Sequence, residues 1–590
     1  MDESSYGLQY SPDQDIPDPS ENAGFIPDKY LENRSKLLHE KPLSNVMLRI
    51  GIPFLFLSLY KAVMNGSDIQ VISVTSLSNL ERFRDMTALF VASNFEYMFL
   101  WPLLWGVCIG FYTYSITLLN YSSIKREDII FNVIFIIVCI FCIYMAETYL
   151  FGKYVLELFG ASIASNTLFS STDYIQISAC GSFTQGMCFL FLFHLMNSNK
   201  GFIVCMLTLF SLCIKQALNF IFAYFLNMNV LGCALSSNIS YAIISIYGAY
   251  YLTHKEIFKL DFFRLRPSWS IIKSILWYSL PIFIDSVFQV LNSFVIYTIL
   301  MNVNRNLTTD SEVELISAFG VLTITYRIVV TIPKSICQSV IPILFSCSNK
   351  LDYYGRYLNC IQNTYYISTI VSLAISSPIL YLSYTLFNDM KPTSLFMSII
   401  SYGSSFYVCS LPFIPCISTL VSMLISSYNI DLLLIFQTIV YFLFYIILPY
   451  SFFFMFTEYS VVFYATPACE AGISILSQIM YWDLLSTNNQ TVDEDMSNLE
   501  YLKIKLFSRL DLYLHIQTYK KEQKEILQQI EYYEEQQRKD ELDYSEEIEI
   551  LNQQLFRYKT IEENYENTKI KSIFSNNFKI FFKKVINPLT

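Results

Sequence analysis

The chain has 590 residues, 54% hydrophobic and only 15% charged, with a formal net charge of −10 and a mean hydropathy of +0.41. Soluble domains carry about 25% charged residues, so an ordinary soluble enzyme or binding domain is excluded. The apolar residues fall into blocks of roughly 20, the length that spans about 30 Å of hydrocarbon, which makes this an all-α polytopic membrane protein.

The first 46 residues form an acidic, polar segment with no apolar stretch of signal-peptide type, so the first membrane helix is expected to do the targeting. Twelve spans follow, at 47–66, 87–119, 128–149, 173–196, 201–226, 230–252, 270–300, 313–345, 358–384, 393–427, 431–456 and 459–482. Basic residues set the orientation. The connections that share a side with the N-terminal flank hold eighteen: Lys29, Arg34, Lys36, Lys41, Arg49, Lys125, Arg126, Lys200, Lys255, Lys259, Arg264, Arg266, Lys273, Lys350, Arg356, Lys503, Lys505 and Arg509. The opposite set holds five: Arg82, Arg84, Lys153, Arg305 and Lys391. Both termini are therefore expected in the cytoplasm. The sequon Asn306-Leu307-Thr308 then falls outside, while a second, Asn33-Arg34-Ser35, falls inside.

The basic connection 253–269 divides the chain into an N-terminal lobe (47–252) and a C-terminal lobe (270–482). The lobes read as repeats: "MLRIGIPFLFLSLYKAVMNGS" parallels "ILWYSLPIFIDSVFQVLNSFV", with Pro53 matching Pro281. Paired lobes around a cavity near the bilayer midplane are a common transporter plan. Residues 483–590 are polar and rich in Lys, Glu and Gln. Tyr544, Ile548, Leu551, Leu555 and Tyr558 keep heptad spacing, which points to a cytoplasmic coiled coil open to self-association. The stretch from Asn567 onward holds five lysines among aromatics and no acid, a composition suited to an anionic membrane surface or to a solvated tail.

The 14 cysteines read as small reduced core residues, including Cys139-x-x-Cys142 inside a span, and not as a disulfide framework or zinc site. Phosphate-cradling, nucleophile-elbow and metal-protease motifs are absent. No enzyme activity, cofactor or nucleic-acid partner is expected, and transport would be secondary.

Charges inside spans are the informative residues, because each costs about 2.5–3.5 kcal/mol at the centre of a membrane helix unless paired or hydrated. Lys61, Asn65 and Asp68 share one face of span 1. Lys215 and Asn219 share a face of span 5, with Lys215 expected to face a cavity. Asp285 and Gln289 share a face of span 7. Arg327 lies in span 8 and Glu470 in span 12. Glu96, Glu147 and Lys334 read as structural charges.

In this arrangement residues 40–482 resemble the MATE (multidrug and toxic compound extrusion) family of the MOP flippase superfamily. Pro53 and Asp68 match the family's first-span proline and the aspartate fifteen residues on. Gly106, Gly110 and Lys125-Arg126-Glu127-Asp128 resemble its span-2 exit. "LELFGA" (156–161), "LNFIFAYFLNMNVLGCALSSNIS" (218–240) and "YRIVVTIPKSICQSVIPIL" (326–344) are similar to later motifs. The resemblance implies a secondary antiporter exporting an organic, typically cationic, solute as H⁺ or Na⁺ enters, from the plasma membrane or a vacuolar or vesicular membrane. It implies that Asp68 is the coupling carboxylate, with Asn219 beside it. The family's span-5 aspartate is Ala223 here, its span-7 glutamate is Gln289, and its span-10 acid near Phe413–Pro415 is missing. These departures favour H⁺ over Na⁺, with Lys61 as the charge acting on Asp68. Lys61, Lys215 and Arg327 also admit an alternative: a flippase or exporter of an anionic or lipid-linked solute. A membrane scaffold acting through the tail is the third class.

Overall fold

The computed structural model describes Leu38 and residues 42–75, 78–117, 126–159, 165–254, 267–303, 309–348, 354–380, 394–426, 430–455 and 461–486. The tail beyond 486, with its coiled-coil and basic-surface expectations, lies outside the described residues, as do both sequons and most of the basic connections.

The described residues are helical and contain no strand. The first half holds α1 (Leu43–Thr75), α2 (Asn79–Phe99), α3 (Trp101–Thr117), α4 (Arg126–Leu150), α5 (Gly152–Leu158), α6 (Ser165–Asn197), α7 (Gly201–Asn219) and α8 (Asn229–His254). The second holds α9 (Trp269–Val303), α10 (Thr309–Ser339), α11 (Ile341–Ser348), α12 (Tyr354–Val371), α13 (Ser394–Ser410), α14 (Ile414–Ser426), α15 (Ile430–Phe436), α16 (Leu448–Met455) and α17 (Val461–Ser486). A helix occupies each of the twelve expected segments. Nine of the described helices are long and apolar enough to cross a membrane, or ten if the bent α2–α3 pair is one span. The helices over 354–380 and Val461–Ser486 are not among them.

The boundaries depart from expectation for local reasons. Span 2 is not one rod: α2 and α3 meet at Leu100 with a bend of 41°. Pro102 follows, and a proline has no N–H to donate to the preceding turn. The α2 start also lies earlier than expected, at Asn79. Ser78 caps it, accepting from the Glu81 N–H at 3.2 Å, and its hydroxyl donates to the Glu81 carboxylate at 2.9 Å, an N-cap in an S-x-x-E sequence. The short α5 fills part of a stretch expected as a loop. Three π-helical segments carry no periodic signature: Phe220–Phe225 continues α7, Ser372–Ser376 continues α12, and Gln437–Ile447 joins α15 to α16.

Within the first half, α6 and α8 approach closely because small residues meet polar ones. Gly181 abuts Asn238, whose Nδ2 donates to the Ile177 carbonyl at 2.6 Å, and the Ser245 hydroxyl donates to the Thr184 carbonyl at 2.6 Å. Such contacts hold helices together where lipid offers no hydrophobic drive. An aromatic core of Phe54, Trp105, Tyr112 and Phe193 fills the interior between α1, α3 and α6, with ring centroids 5.4–6.1 Å apart. The outer faces carry exposed Phe202, Phe225 and Ile246, as a lipid boundary requires. Cys142, Cys180, Cys213 and Cys409 are exposed and Cys139 and Cys205 are half-buried, so these six are not core residues as expected.

The two halves touch at both ends of the bundle. At one end Gly106 and Gly110 of α3 let α9 in: a Cβ on Gly106 would lie 3.1 Å from the Ser279 carbonyl oxygen, and one on Gly110 would overlap the Ile275 carbonyl oxygen. At the other end Thr87 donates to the Val313 carbonyl at 3.2 Å, and the Phe83 and Phe396 rings stack at 5.2 Å.

Gly→Ala inside a helix ordinarily gains about 0.5–1 kcal/mol. At Gly110 the sign should invert, with a loss of about 1–3 kcal/mol from overpacking. Gly51, where the nearest foreign atom to a new Cβ is the Ser339 Oγ at 3.5 Å, should accept alanine without loss. Thermal unfolding of the two variants in detergent checks the contrast.

Candidate functional site

The intramembrane charges separate into two sites. The first is sealed inside the N-terminal half. Asp68 on α1 meets Lys215 on α7, Oδ1 to Nζ 2.9 Å, and both side chains are 0% exposed. Lys215 also donates to the Met64 carbonyl, one turn before Asp68. Asn219, four residues after Lys215 and on the same face of α7, donates its Nδ2 to Asp68 Oδ1 at 2.9 Å. Ser236 on α8 donates to Asn219 Oδ1 and so fixes which way the amide points. Asp68 Oδ2 is buried with no N–H or O–H donor on it, and the Cys233 thiol is its neighbour. The π-helical segment begins at Phe220, immediately after Asn219. A widened turn of this kind frequently marks a functional position in a helix.

The second site is a cavity of about 110 Å³ between the halves. It is lined from α1 (Ser58, Lys61), from α2 and α3 (Tyr97, Trp105), from α9 (Asp285, Gln289, Asn292, Ser293), from α10 (Thr323, Tyr326, Arg327, Lys334, Gln338), and by Tyr407, Thr466 and Glu470. Lys334 Nζ pairs with Asp285 Oδ2 at 2.8 Å, and the two side chains are 15% and 14% exposed. Gln289 donates to the same carboxylate at 3.3 Å. Glu470 Oε1 accepts from the Tyr445 hydroxyl at 2.9 Å, while its Oε2 is buried without a partner.

Two cations in this cavity have no ion pair with a carboxylate of the described residues. Lys61 Nζ sits 4.8 Å from the Trp105 ring centroid and 5.8 Å from those of Tyr97 and Trp101. Arg327 lies over the other neighbour of that aromatic cluster, its guanidinium carbon 4.8 Å from the Tyr97 centroid. One Arg327 nitrogen, Nη2, donates to Asn94 Oδ1 at 2.7 Å and to Ser293 Oγ at 3.5 Å. The other, Nη1, is buried without a hydrogen bond.

Several expected positions come together and others do not. Asp68 meets Asn219, and Asp285 meets Gln289. Arg327 lines the cavity. Lys215, expected there, is instead fully buried against Asp68, because the α7 face that carries it packs on α1. Lys61, expected beside Asp68, faces the cavity two turns away, so the charge acting on Asp68 is Lys215. The Asn65 side chain lies outside the described residues. Lys334, read as structural, belongs to the cavity. Its signal was present in the sequence: it falls seven residues after Arg327 and therefore on the same helical face. Glu96 stays within the first half and accepts from Ser178. The aromatic partners Tyr97 and Trp105 carried no signal of their own in a chain with 44 tyrosines and 5 tryptophans.

No family model and no curated protein matches the sequence. Solved structures do. An outward-facing multidrug resistance MATE family transporter of the MOP superfamily aligns with a TM-score of 0.62 at 13% identity, over 75% of this chain and 96% of its own. A MOP superfamily transporter from Pyrococcus furiosus, with a binding pocket of reverse polarity that suggests a different function, aligns at 0.62 and 14%, over 78% and 99%. The eukaryotic MATE transporter AtDTX14 aligns at 0.58 and 11%, over 81% and 100%. At these identities the likeness shows a shared fold: this chain has the fold of MATE transporters, over nearly the whole length of those proteins.

Breaking a buried ion pair from one side costs about 3–5 kcal/mol, whereas replacing both partners with apolar groups is often close to neutral. Lys215→Met should therefore destabilise the protein by about that amount, and Asp68→Leu combined with Lys215→Met should recover most of it. A double-mutant cycle on thermal unfolding in detergent reads the coupling. Additive losses would mean that the pair is not a unit.

Proposed function

We propose that the chain is a secondary active transporter of the MATE type in the MOP superfamily, passing an organic solute through the central cavity by alternating access. The observation that carries this reading is the cavity lined by charged and aromatic side chains between two half-bundles, in a fold shared with transporters. Twelve spans, two six-helix lobes and cytoplasmic termini complete it, in a plasma, vacuolar or vesicular membrane.

Coupling to H⁺ is preferred over Na⁺. Sodium needs several oxygen ligands, and beside Asp68 the Lys215 ammonium already holds the place a bound cation would take. Protonating Asp68 would free Lys215 from its counter-charge, giving the α1–α7 contact two arrangements that a proton gradient could bias. For the cargo, fold likeness to multidrug transporters supports an organic cation. The lining supports the second reading, an anionic solute, since it holds Lys61, Arg327 and Lys334 against Asp285 and Glu470. The Pyrococcus furiosus relative, with its reversed pocket polarity, is consistent with one fold serving either sign.

Alternating access requires the halves to part at one end. A Cβ on Gly106 would lie 3.5 Å from Ser279 Cβ, within the range of a disulfide. In a background without other cysteines, Gly106→Cys with Ser279→Cys should cross-link on oxidation. Exchange of ethidium or carboxyfluorescein by proteoliposomes should then fall at least about tenfold, and reductant should restore it. Exchange that continues in the fully cross-linked protein would defeat the alternating-access reading.

A further inference from the structure

We propose that the central cavity is an oxyanion site: Lys61 and Arg327, both beside the Tyr97 ring, hold the phosphate or carboxylate group of an organic solute whose planar or apolar portion rests on Tyr97 and Trp105. The proposal rests on the transport reading for its biological use, but the site itself is a matter of binding.

The lining contains three cations, and the structure treats them differently. Lys334 is neutralised by Asp285, and Gln289 adds its amide to the same carboxylate. Lys61 and Arg327 have aromatic faces and neutral oxygens in place of carboxylates. Arg327 is oriented in a specific way. Asn94 and Ser293 fix one edge of the guanidinium through Nη2, and Tyr97 fixes its plane from the face. The remaining nitrogen, Nη1, is buried and has no partner. A guanidinium held on one edge, with an unused donor on another, is prepared for an oxygen acceptor. A buried N–H left unsatisfied is unfavourable, and an incoming oxyanion removes that cost.

Lys61 supplies the second positive charge. Its ammonium lies among Tyr97, Trp101 and Trp105, whose faces stabilise a cation without neutralising it. Both side chains therefore approach one ring, and neither forms an ion pair with a carboxylate of the described residues. Asn292 leaves a buried Oδ1 without a partner, an acceptor that suits a donor on the rest of the solute and not its oxyanion. A cavity of about 110 Å³ holds several waters on the scale where one needs about 10–15 Å³, so a phosphate-sized group fits. The feature that opposes an anion is Glu470, whose Oε2 has no partner. It sits across the cavity on α17, where Lys334 on α10 acts on it electrostatically.

Binding to the full chain in detergent tests the site apart from transport. The reporter is tryptophan fluorescence, because Trp105 lines the cavity. Phenyl phosphate and benzoate are the soluble probes, phosphatidic acid in nanodiscs is the lipid probe, and tetraphenylphosphonium is the cationic competitor. Saturable binding of an anionic probe is expected. Lys61→Gln and Arg327→Gln should each weaken it at least tenfold, Lys61→Arg should retain it, and tetraphenylphosphonium should not compete. Binding of phenyl phosphate would identify a soluble solute, and binding confined to phosphatidic acid would identify a lipid headgroup; each supports the site. Folding is controlled by the thermal transition of every variant. If folded Lys61→Gln and Arg327→Gln bind the anions as the parent does, the proposal fails. It also fails if tetraphenylphosphonium binds while none of the anions does. Either failure leaves transport untouched: an organic cation still exchanged by proteoliposomes would uphold the transporter and reject the anion site.

Discussion

The arrangement of this bundle follows from the cost of a charge in a medium without water. Every ionisable group placed inside a span must find a counter-charge, a hydrogen-bonding partner or a wet cavity. Asp68 and Lys215 take the first solution and are completely enclosed. Their attraction binds α1 to α7, and Asn219 and Ser236 extend the same network to α8. Three helices of the first half are thereby held by polar contacts specific in direction, which apolar packing against lipid cannot supply.

The charges that line the cavity, only one of which (Lys334) has a carboxylate partner among the described residues of its own half, mark the boundary between the halves. Lys61 faces α9 and α10 across the cavity, and Arg327 and Lys334 face back from the second half. If the halves were pressed together without a cavity, these cations would be desolvated with too few carboxylates to meet them. The small residues of α3 let the halves meet at one end, and the Thr87 and Phe83 contacts close the other. Between those contacts the unpaired charge keeps a polar space. Cavity and charge excess are two aspects of one constraint.

Sequence patterns carried the architecture further than they carried the site. Helix positions were legible because a membrane span demands a long apolar block, and each of the twelve segments contains a helix. What the blocks could not reveal was geometry produced by single backbone groups. The bend at Leu100 depends on one proline two residues on, and the π-helical turns leave no hydrophobic period to read. The site was legible as a set of residue types and partly as pairs. Asp68 with Asn219 and Asp285 with Gln289 lie together as their spacing suggested. Partners on different helices were not legible: Lys61 and Asp68 share a helical stripe, but two turns of rise carry one to the cavity and the other to α7. A stripe shows which side of a helix a residue takes. Which neighbour it meets at a given depth is decided by packing.

The exchange of partners between Lys61 and Lys215 changes the chemistry available to each. With Lys215 on Asp68, the first half holds a closed pair that adds no net charge to the cavity. Lys61 is then left without a carboxylate, and its surroundings are aromatic faces that stabilise a cation but do not discharge it. Had Lys61 paired with Asp68, the cavity would have held two cations against two acids, with Lys215 remaining to be neutralised elsewhere. The buried pair on α1 and α7 therefore does two things at once: it joins the helices of the first half, and it leaves the surplus positive charge at the interface where the halves meet. A solute entering there meets the sum of those charges. The balance of the cavity is thus set partly by an ion pair that the solute never touches.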